Sequence, residues 1–246
     1  MSIQINYKNS SSQKVLNNLI LFVDDKFNTK PLKKYISESE FTYIKNLLIE
    51  NDLKKKLLVF DLNSKRKIVL ISIKKNIQNY EIENLGAELY KRINHGKKSE
   101  YNINSENILV SNDLFLGHFL HGIKLKSYEF KKYKTKKELR QIEINVFGKK
   151  NIPSKKNQLR FKALEEGTFY TRDLVSEPGN ILHPDEYAKR LLKLRKFGLK
   201  VNVYDEKKLK KLGMNALLGV GQGSVRGSYL VTLEWKGTKT KKKPLA

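Results

Sequence analysis

Strand-sized apolar runs alternate along this chain with stretches of helical periodicity, and that alternation constrains the fold more than any other feature. Leu19-Ile-Leu-Phe-Val23, closed by Asp24-Asp25, has the length of a buried strand. Ser37-Glu-Ser-Glu40 then forms a capping box, with Ser37 at the N-cap and Glu40 three residues on. The helix behind it places Phe41, Ile44, Leu47 and Leu48 on one face. Leu57–Phe60 and Ile68–Ile73 are two further apolar runs, and the polar link Asn63-Ser-Lys-Arg66 makes them a hairpin. Glu81–Ile93 reads as a helix carrying Ile82, Leu85, Leu89 and Ile93, with Gly96 as its stop. Ile108-Leu-Val110 is expected to be a short strand, and Leu114–Tyr128 a helix with Phe115, Phe119 and Ile123 on its apolar face. In Gln141–Phe147, Ile142, Ile144 and Val146 alternate with Glu143 and Asn145, the pattern of a strand with one wet face. Residues 1–150 are therefore expected to form an α/β domain.

A linker-like segment, Gly148-Lys-Lys-Asn-Ile-Pro-Ser-Lys-Lys156, precedes a long helix over Leu159–Val175, and residues 151–176 are read as linker and connecting helix. The helix ends at Thr171-Arg-Asp-Leu-Val-Ser-Glu-Pro-Gly-Asn-Ile-Leu-His-Pro184. Pro178-Gly179 is expected to turn there, with glycine accepting the positive φ of a type II third position. Pro184 suits the first position of a new helix, Asp185 and Glu186 complement its dipole, and Leu191, Leu192 and Leu194 face inward until Gly198. A strand at Leu199–Val203, a short helix at Glu206–Leu212 and a strand at Tyr229–Trp235 follow. Residues 177–246 thus open a second α/β domain that is short of the roughly 100–150 residues such a domain usually needs. Pro244-Leu-Ala246 reads as the entry to another strand, and the chain is read as truncated there.

Composition narrows the function classes. No cysteine is present, which excludes disulfides, thiolate zinc sites and cysteine nucleophiles. No run approaches the roughly 18 apolar residues of a spanning helix, and the N-terminus lacks a secretory pattern, so a soluble cytoplasmic protein with no membrane partner is expected. The formal net charge is +25, yet only eight of the 50 basic residues are arginine, and the lysines are spread over the whole length. Arginine is the residue that reads bases and phosphates bidentately, so this charge predicts non-specific attraction to nucleic acid rather than a dedicated footprint.

The candidate chemistry divides into motifs with competing structural explanations. His118 and His121 lie three apart on a helix and could share a metal, but no third ligand is evident. Gly219-Val-Gly-Gln-Gly-Ser224 resembles a phosphate cradle without the register or the lysine of a nucleotide-binding loop, and a flexible loop at a close backbone approach explains it better. Lys131-Lys-Tyr-Lys-Thr-Lys-Lys137 and Lys239–Lys243 are read as solvated stretches rather than single-strand binding surfaces. Asp173, Glu177, Asp185 and Glu186 crowd the junction and could suggest paired-carboxylate catalysis, but are better read, with Arg172, as setting the junction and the helix start.

Thr171-Arg-Asp-Leu-Val-Ser-Glu-Pro-Gly-Asn180 with its Pro-started helix resembles the entry to the catalytic domain of the leucyl aminopeptidases, the cytosol aminopeptidase family of two-metal exopeptidases. Leu212-Gly-Met-Asn-Ala-Leu-Leu-Gly-Val-Gly-Gln-Gly-Ser224 and Leu230-Val-Thr-Leu-Glu-Trp-Lys-Gly237 resemble the family segments that follow, and Phe119–Thr135 is similar to the last long helix of its N-terminal domain. Ser176, Asn215 and Arg226-Gly-Ser-Tyr229 depart from the usual residues. The resemblance implies a macro-domain-like N-terminal α/β domain, a long linker helix, and the start of an α/β catalytic domain. It also implies a homo-hexamer, peptide substrates with a free N-terminus, and two divalent metal ions, manganese or zinc, in the full-length family. The family's metal ligands, a lysine and carboxylates, follow the strand that Pro244-Leu-Ala246 begins. No residue of this chain is therefore assigned a catalytic, cofactor-binding or metal role, no metal is expected in it, and it is expected to be inactive alone. The alternative is a basic nucleic-acid or nucleotide-binding module without catalysis.

Overall fold

The computed structural model describes residues 3–8, 17–94, 98–110, 112, 114–135 and 141–238. Gly96, Lys136, Lys137, Lys239–Lys243 and Pro244–Ala246, to which the sequence reading gave roles, lie outside them. The chain divides into two units, Met1–Arg172 and Asp173–Ala246.

The first unit is built on a six-stranded sheet in the order β1-β6-β5-β2-β4-β3. Its strands are β1 (Ile3–Lys8), β2 (Asn18–Asp24), β3 (Leu57–Asn63), β4 (Arg66–Ile73), β5 (Lys98–Asn104) and β6 (Gln141–Phe147). Every pairing is parallel except the β3–β4 hairpin. Three helices flank the sheet: α1 (Glu38–Glu50), α2 (Asn79–Ile93) and α3 (Phe115–Lys126). On one face, α2 and α3 bury Ile82, Leu85, Phe115 and Phe119 against Ile20, Phe22, Ile71, Ile103 and Ile144. On the other, α1 and the segment before it bury Phe27, Leu32, Phe41 and Ile44 against Leu19, Leu21, Leu58 and Leu70. Phe22 meets the edges of both Phe115 and Phe119 at 5.3 Å between ring centroids, which fixes α3 over the sheet centre.

Local signals place these elements. The Ser37–Glu40 capping box forms in both directions, and Glu40 also receives Arg66 Nε at 2.5 Å and Nη2 at 3.2 Å. That fork ties the start of α1 to the start of β4. Gly86 and Gly122 let α2 and α3 cross at backbone contact. There His118, on α3, reaches Glu83 of α2 at 2.7 Å.

Three strands differ from the sequence reading. Ile108–Val110 is not a strand; β5 precedes it and ends in a 3-10 turn at Ser105–Asn107, after which Leu109 is 60% exposed. The strand escapes notice because Asn102 and Asn104 alternate with Tyr101 and Ile103, and all four are buried. Nor is the second face of β6 wet: Asn145 is 1% exposed, accepts from Asn6 at 3.2 Å and donates to Glu100 at 2.6 Å. β1 was not foreseen either, since its three apolar residues alternate with polar ones at the extreme N-terminus.

The segment 148–156 is tied down rather than loose. Asn151 Nδ2 donates to Ser105 O at 2.9 Å and to Ile108 O, and Ser154 caps α4 (Lys155–Ser176) through the Asn157 amide. The helix α4 is 22 residues long, starting a turn before its expected start at Leu159. Within the first unit Phe161 of α4 enters a slot between His118 and His121, opposite Gly117.

The second unit contains α5 (Pro184–Leu192), β7 (Lys200–Tyr204), α6 (Glu206–Lys211), α7 (Asn215–Gly221) and β8 (Leu230–Glu234). β7 and β8 pair antiparallel, with Val201 opposite Leu233. After α5 the chain continues as a 3-10 turn and stops at Gly198, whose φ of 88° is a left-handed stop suited to glycine.

Candidate functional site

The junction that the sequence singled out folds as a clamped turn. α4 ends at Ser176, with the Glu177 amide donating to Asp173 O at 3.1 Å. The Ile181 and Leu182 amides both donate to Pro178 O at 2.9 Å, closing the turn. Gly179 does not take the positive φ expected of it. The turn begins at Pro178 rather than before it, so glycine falls at the second position instead of the third. His183 then sits at the N-cap of α5 with Pro184 in its first turn, and Nδ1 lies 3.4 Å from the Glu186 amide.

The junction carboxylates are held in ion pairs. Arg190 donates from Nη1 to Glu177 at 2.9 Å and from Nε to Glu186 at 3.0 Å, bridging the end of α4 to α5. Glu177's side chain is 2% exposed, so this guanidinium is its counter-charge in a dry position. The hydrogen bonds that Arg190 donates to Glu177 and Glu186 raise its own pKa, and the one to Glu186 lowers that of Glu186. Asp185 faces His183 at 3.0 Å and Arg226 at 3.4 Å. Its desolvation is outweighed by the hydrogen bonds of its own backbone amide and of His183 and by the nearby Arg226, which hold its pKa low. Arg172 belongs to the first unit, where Nη1 donates to Leu125 O at 2.5 Å and the guanidinium lies over Tyr128. A paired-carboxylate acid and base need two carboxyls held apart in pKa. Here Asp185 and Glu186 are both held in the ionised form, so the pair serves the junction.

The other sequence candidates are placed as follows. The glycine-rich stretch is no cradle: Gly219 and Gly221 lie inside α7, a helix of seven residues, and Gly221 closes onto the Ser228 side chain. His118 and His121 do not converge. Each pairs with a different glutamate, His118 with Glu83 and His121 with Glu165 at 3.2 Å, across the ring of Phe161.

A cleft of about 240 Å3 opens beside His121, between β1, α3 and α4 of the first unit. Tyr7, Lys124 and Glu165 line it, and Lys124 Nζ donates to Ile3 O at 2.6 Å. Burial first, and then the charge of Glu165, push the Tyr7 hydroxyl up to about 12. Burial also lowers the Lys124 ammonium, against the pull of Glu165. This polar group was missed in the sequence because its members come from three separate elements; only His121 had been marked. Within the first unit the His121–Glu165 bond ties α4 to α3, and the Lys124–Ile3 bond ties α3 to β1. Among the described residues no group of three or more His, Asp or Glu could hold a metal ion. The described residues therefore do not fit the two cations that the resemblance implies.

The clamped junction lies within a segment that resembles known proteins. Residues 169–246 match the family model described as the cytosol aminopeptidase family, catalytic domain. A probable cytosol aminopeptidase of Brucella anthropi is 35% identical over 189 residues, covering 73% of this chain and 38% of that protein. Another, from Rhizobium meliloti, is 41% identical over 135 residues, covering 52% and 27%. The chain thus spans well under half the length of these aminopeptidases. Among solved structures, a tomato leucine aminopeptidase mutant aligns with a TM-score of 0.75 at 16% identity, over 98% of this chain and 52% of that one. The cytosol aminopeptidase of Coxiella burnetii aligns at 0.67 and 15%, over 96% and 47%. These likenesses show a shared fold, a mixed α/β architecture with a mostly parallel sheet, across nearly the whole chain. Among the described residues no helix is long and apolar enough to cross a membrane.

Proposed function

We propose that this chain is part of a metal-dependent leucyl aminopeptidase, supplying its N-terminal α/β domain, the connecting helix and the opening of its catalytic domain. Peptides with a free N-terminus and an apolar first residue are its substrates, the cytoplasm its compartment, and a hexamer the state of the whole protein. The observation that carries the reading is the catalytic-domain match beginning at residue 169, where α4 leads into the turn that Arg190 clamps. Manganese or zinc, when bound by the whole enzyme, would polarise the scissile carbonyl and supply hydroxide at neutral pH. The residues present here contribute the frame: α4, the Glu177–Arg190–Glu186 clamp and the α5 start. The chain by itself is inactive on this reading. The family match does not favour a basic nucleic-acid module.

The test completes the chain with the C-terminal part of a curated relative and supplies manganese or zinc. Mass spectrometry should show loss of an N-terminal leucine from a peptide and no loss from its N-acetylated form. A folded hybrid that cleaves both forms, or neither, overturns the proposal.

A further inference from the structure

The six-stranded sheet ends at β1, and among the described residues no strand pairs with its other side. An unpaired strand edge is a row of backbone donors and acceptors that another strand can complete. The two faces of β1 specify which strand suits it. Towards α2 and α3 it presents Ile3, Ile5 and Tyr7, of which Ile5 and Tyr7 are half-buried and line the cleft beside α4. Towards the opposite face it presents Gln4, Asn6 and Lys8. There a row of side-chain bonds runs outward across the sheet, from Glu100 to Asn145 to Asn6, and Gln4 Nε2 extends it along β1 at 3.1 Å from Asn6 Oδ1. The row ends in amides at the open edge.

We propose that two copies of this chain pair antiparallel through β1 about a two-fold axis at Ile5. Directly opposed residues of antiparallel strands share a face. This register sets Ile5 against Ile5 of the second copy and Ile3 against its Tyr7 on the apolar face. Gln4 meets its Asn6 on the polar face, which continues the amide row. Lys8 falls outside the stretch 3–7, so the register opposes no like charges. A register centred on Asn6 would leave Ile3 without an apolar partner, which favours the axis at Ile5. A self-complementary contact of this kind is the ordinary geometry of a two-fold dimer, and the two sheets become one.

Sedimentation velocity on the whole 246-residue chain tests it. The dimer should grow with protein concentration and with added salt, because salt screens the repulsion of two chains that each carry +25. Ile5→Lys sets two ammonium groups against each other at the axis and should weaken the dimer by about tenfold or more. The chain has no cysteine, so Ile5→Cys offers a second reading that does not rely on Ile5→Lys folding. Under mild oxidation Ile5→Cys should cross-link to a covalent dimer far faster than Ile49→Cys, which is 80% exposed on α1. A chain that stays monomeric at every concentration overturns the proposal. So does a folded Ile5→Lys variant that dimerises as tightly, or Ile5→Cys cross-linking no faster than Ile49→Cys.

Discussion

Replacing Gly122 by alanine tests the helix crossing on which the first unit depends. An added Cβ there would stand 2.7 Å from both the carbonyl carbon and the Cα of Glu83, and would overlap the Glu83 carbonyl oxygen. Carbon atoms pack at about 3.5–4.0 Å, so α2 and α3 would have to separate by roughly 1 Å. Neither helix is free to move. Both sit on the sheet through fully buried side chains, Ile82 and Leu89 on one and Phe115 and Phe119 on the other. Forced overpacking of this kind costs about 1–3 kcal/mol, while exchanging glycine for alanine inside a helix returns about 1 kcal/mol. With rigid backbone as the obstacle, the upper end of the cost applies, leaving a net loss of about 2 kcal/mol. For a unit of this size that lowers the melting temperature by roughly 4–8 °C. Gly167→Ala is the matched control, because it lies in α4 with nothing within 4 Å of the added Cβ. It should melt slightly above the parent chain. Calorimetry or far-ultraviolet circular dichroism reads both variants. If Gly122→Ala melts at or above the parent temperature, the close crossing is not what packs this domain.

Three further outcomes follow from side chains already placed. Burial opposes the Glu40 charge, but the Arg66 fork and the Ser37 amide outweigh it and hold its pKa below the usual carboxylate value. The stabilisation is therefore complete above the unfolded carboxylate pKa of about 4.3 and is lost as pH falls through the lower folded value. Glu40→Gln should lower stability near neutral pH by about 1.5–3 kcal/mol and flatten that acid limb in pH-dependent urea melts. Phe161→Ala empties the slot between His118 and His121, at a cost of about 3–5 kcal/mol to the seating of α4. Hydrogen exchange should accelerate along residues 155–170 and stay unchanged in α1. Arg190→Ala removes the counter-charge of Glu177, so limited proteolysis should become faster at residues 177–184, and Arg190→Lys should restore part of the protection.

Much of the fold was legible in the sequence where one residue type reports one environment. The apolar runs of β2 and β4 can only be buried strands, and the Ser37–Glu40 box marks a helix start by its own hydrogen bonds. What was hidden is polar and cooperative. β5 and β6 carry Asn102, Asn104 and Asn145 into buried positions, and β1 brings Asn6 to the same row, so their alternation looked solvated or was not seen. Helix extent failed at α4 because Ser154, its cap, sits inside a stretch of lysines and proline that reads as linker. At the junction the Pro184 start and the acidic first turn were readable from local preference. The clamp was not, since Arg190 lies 13 residues from Glu177 and only the fold brings them together. The turn at Pro178 shows the same limit, because turn residues name a turn without fixing which position each takes.

On the proposed function, this chain frames an aminopeptidase site and is inactive by itself. The most direct measurement of this is manganese-supplemented hydrolysis of a leucine anilide, run side by side on the 246-residue chain and on the same chain completed with a relative's catalytic remainder. The chain alone should give no turnover above the metal-only blank, and the completed protein should release leucine. Turnover by the chain alone, or none by a completed protein that folds, would contradict it.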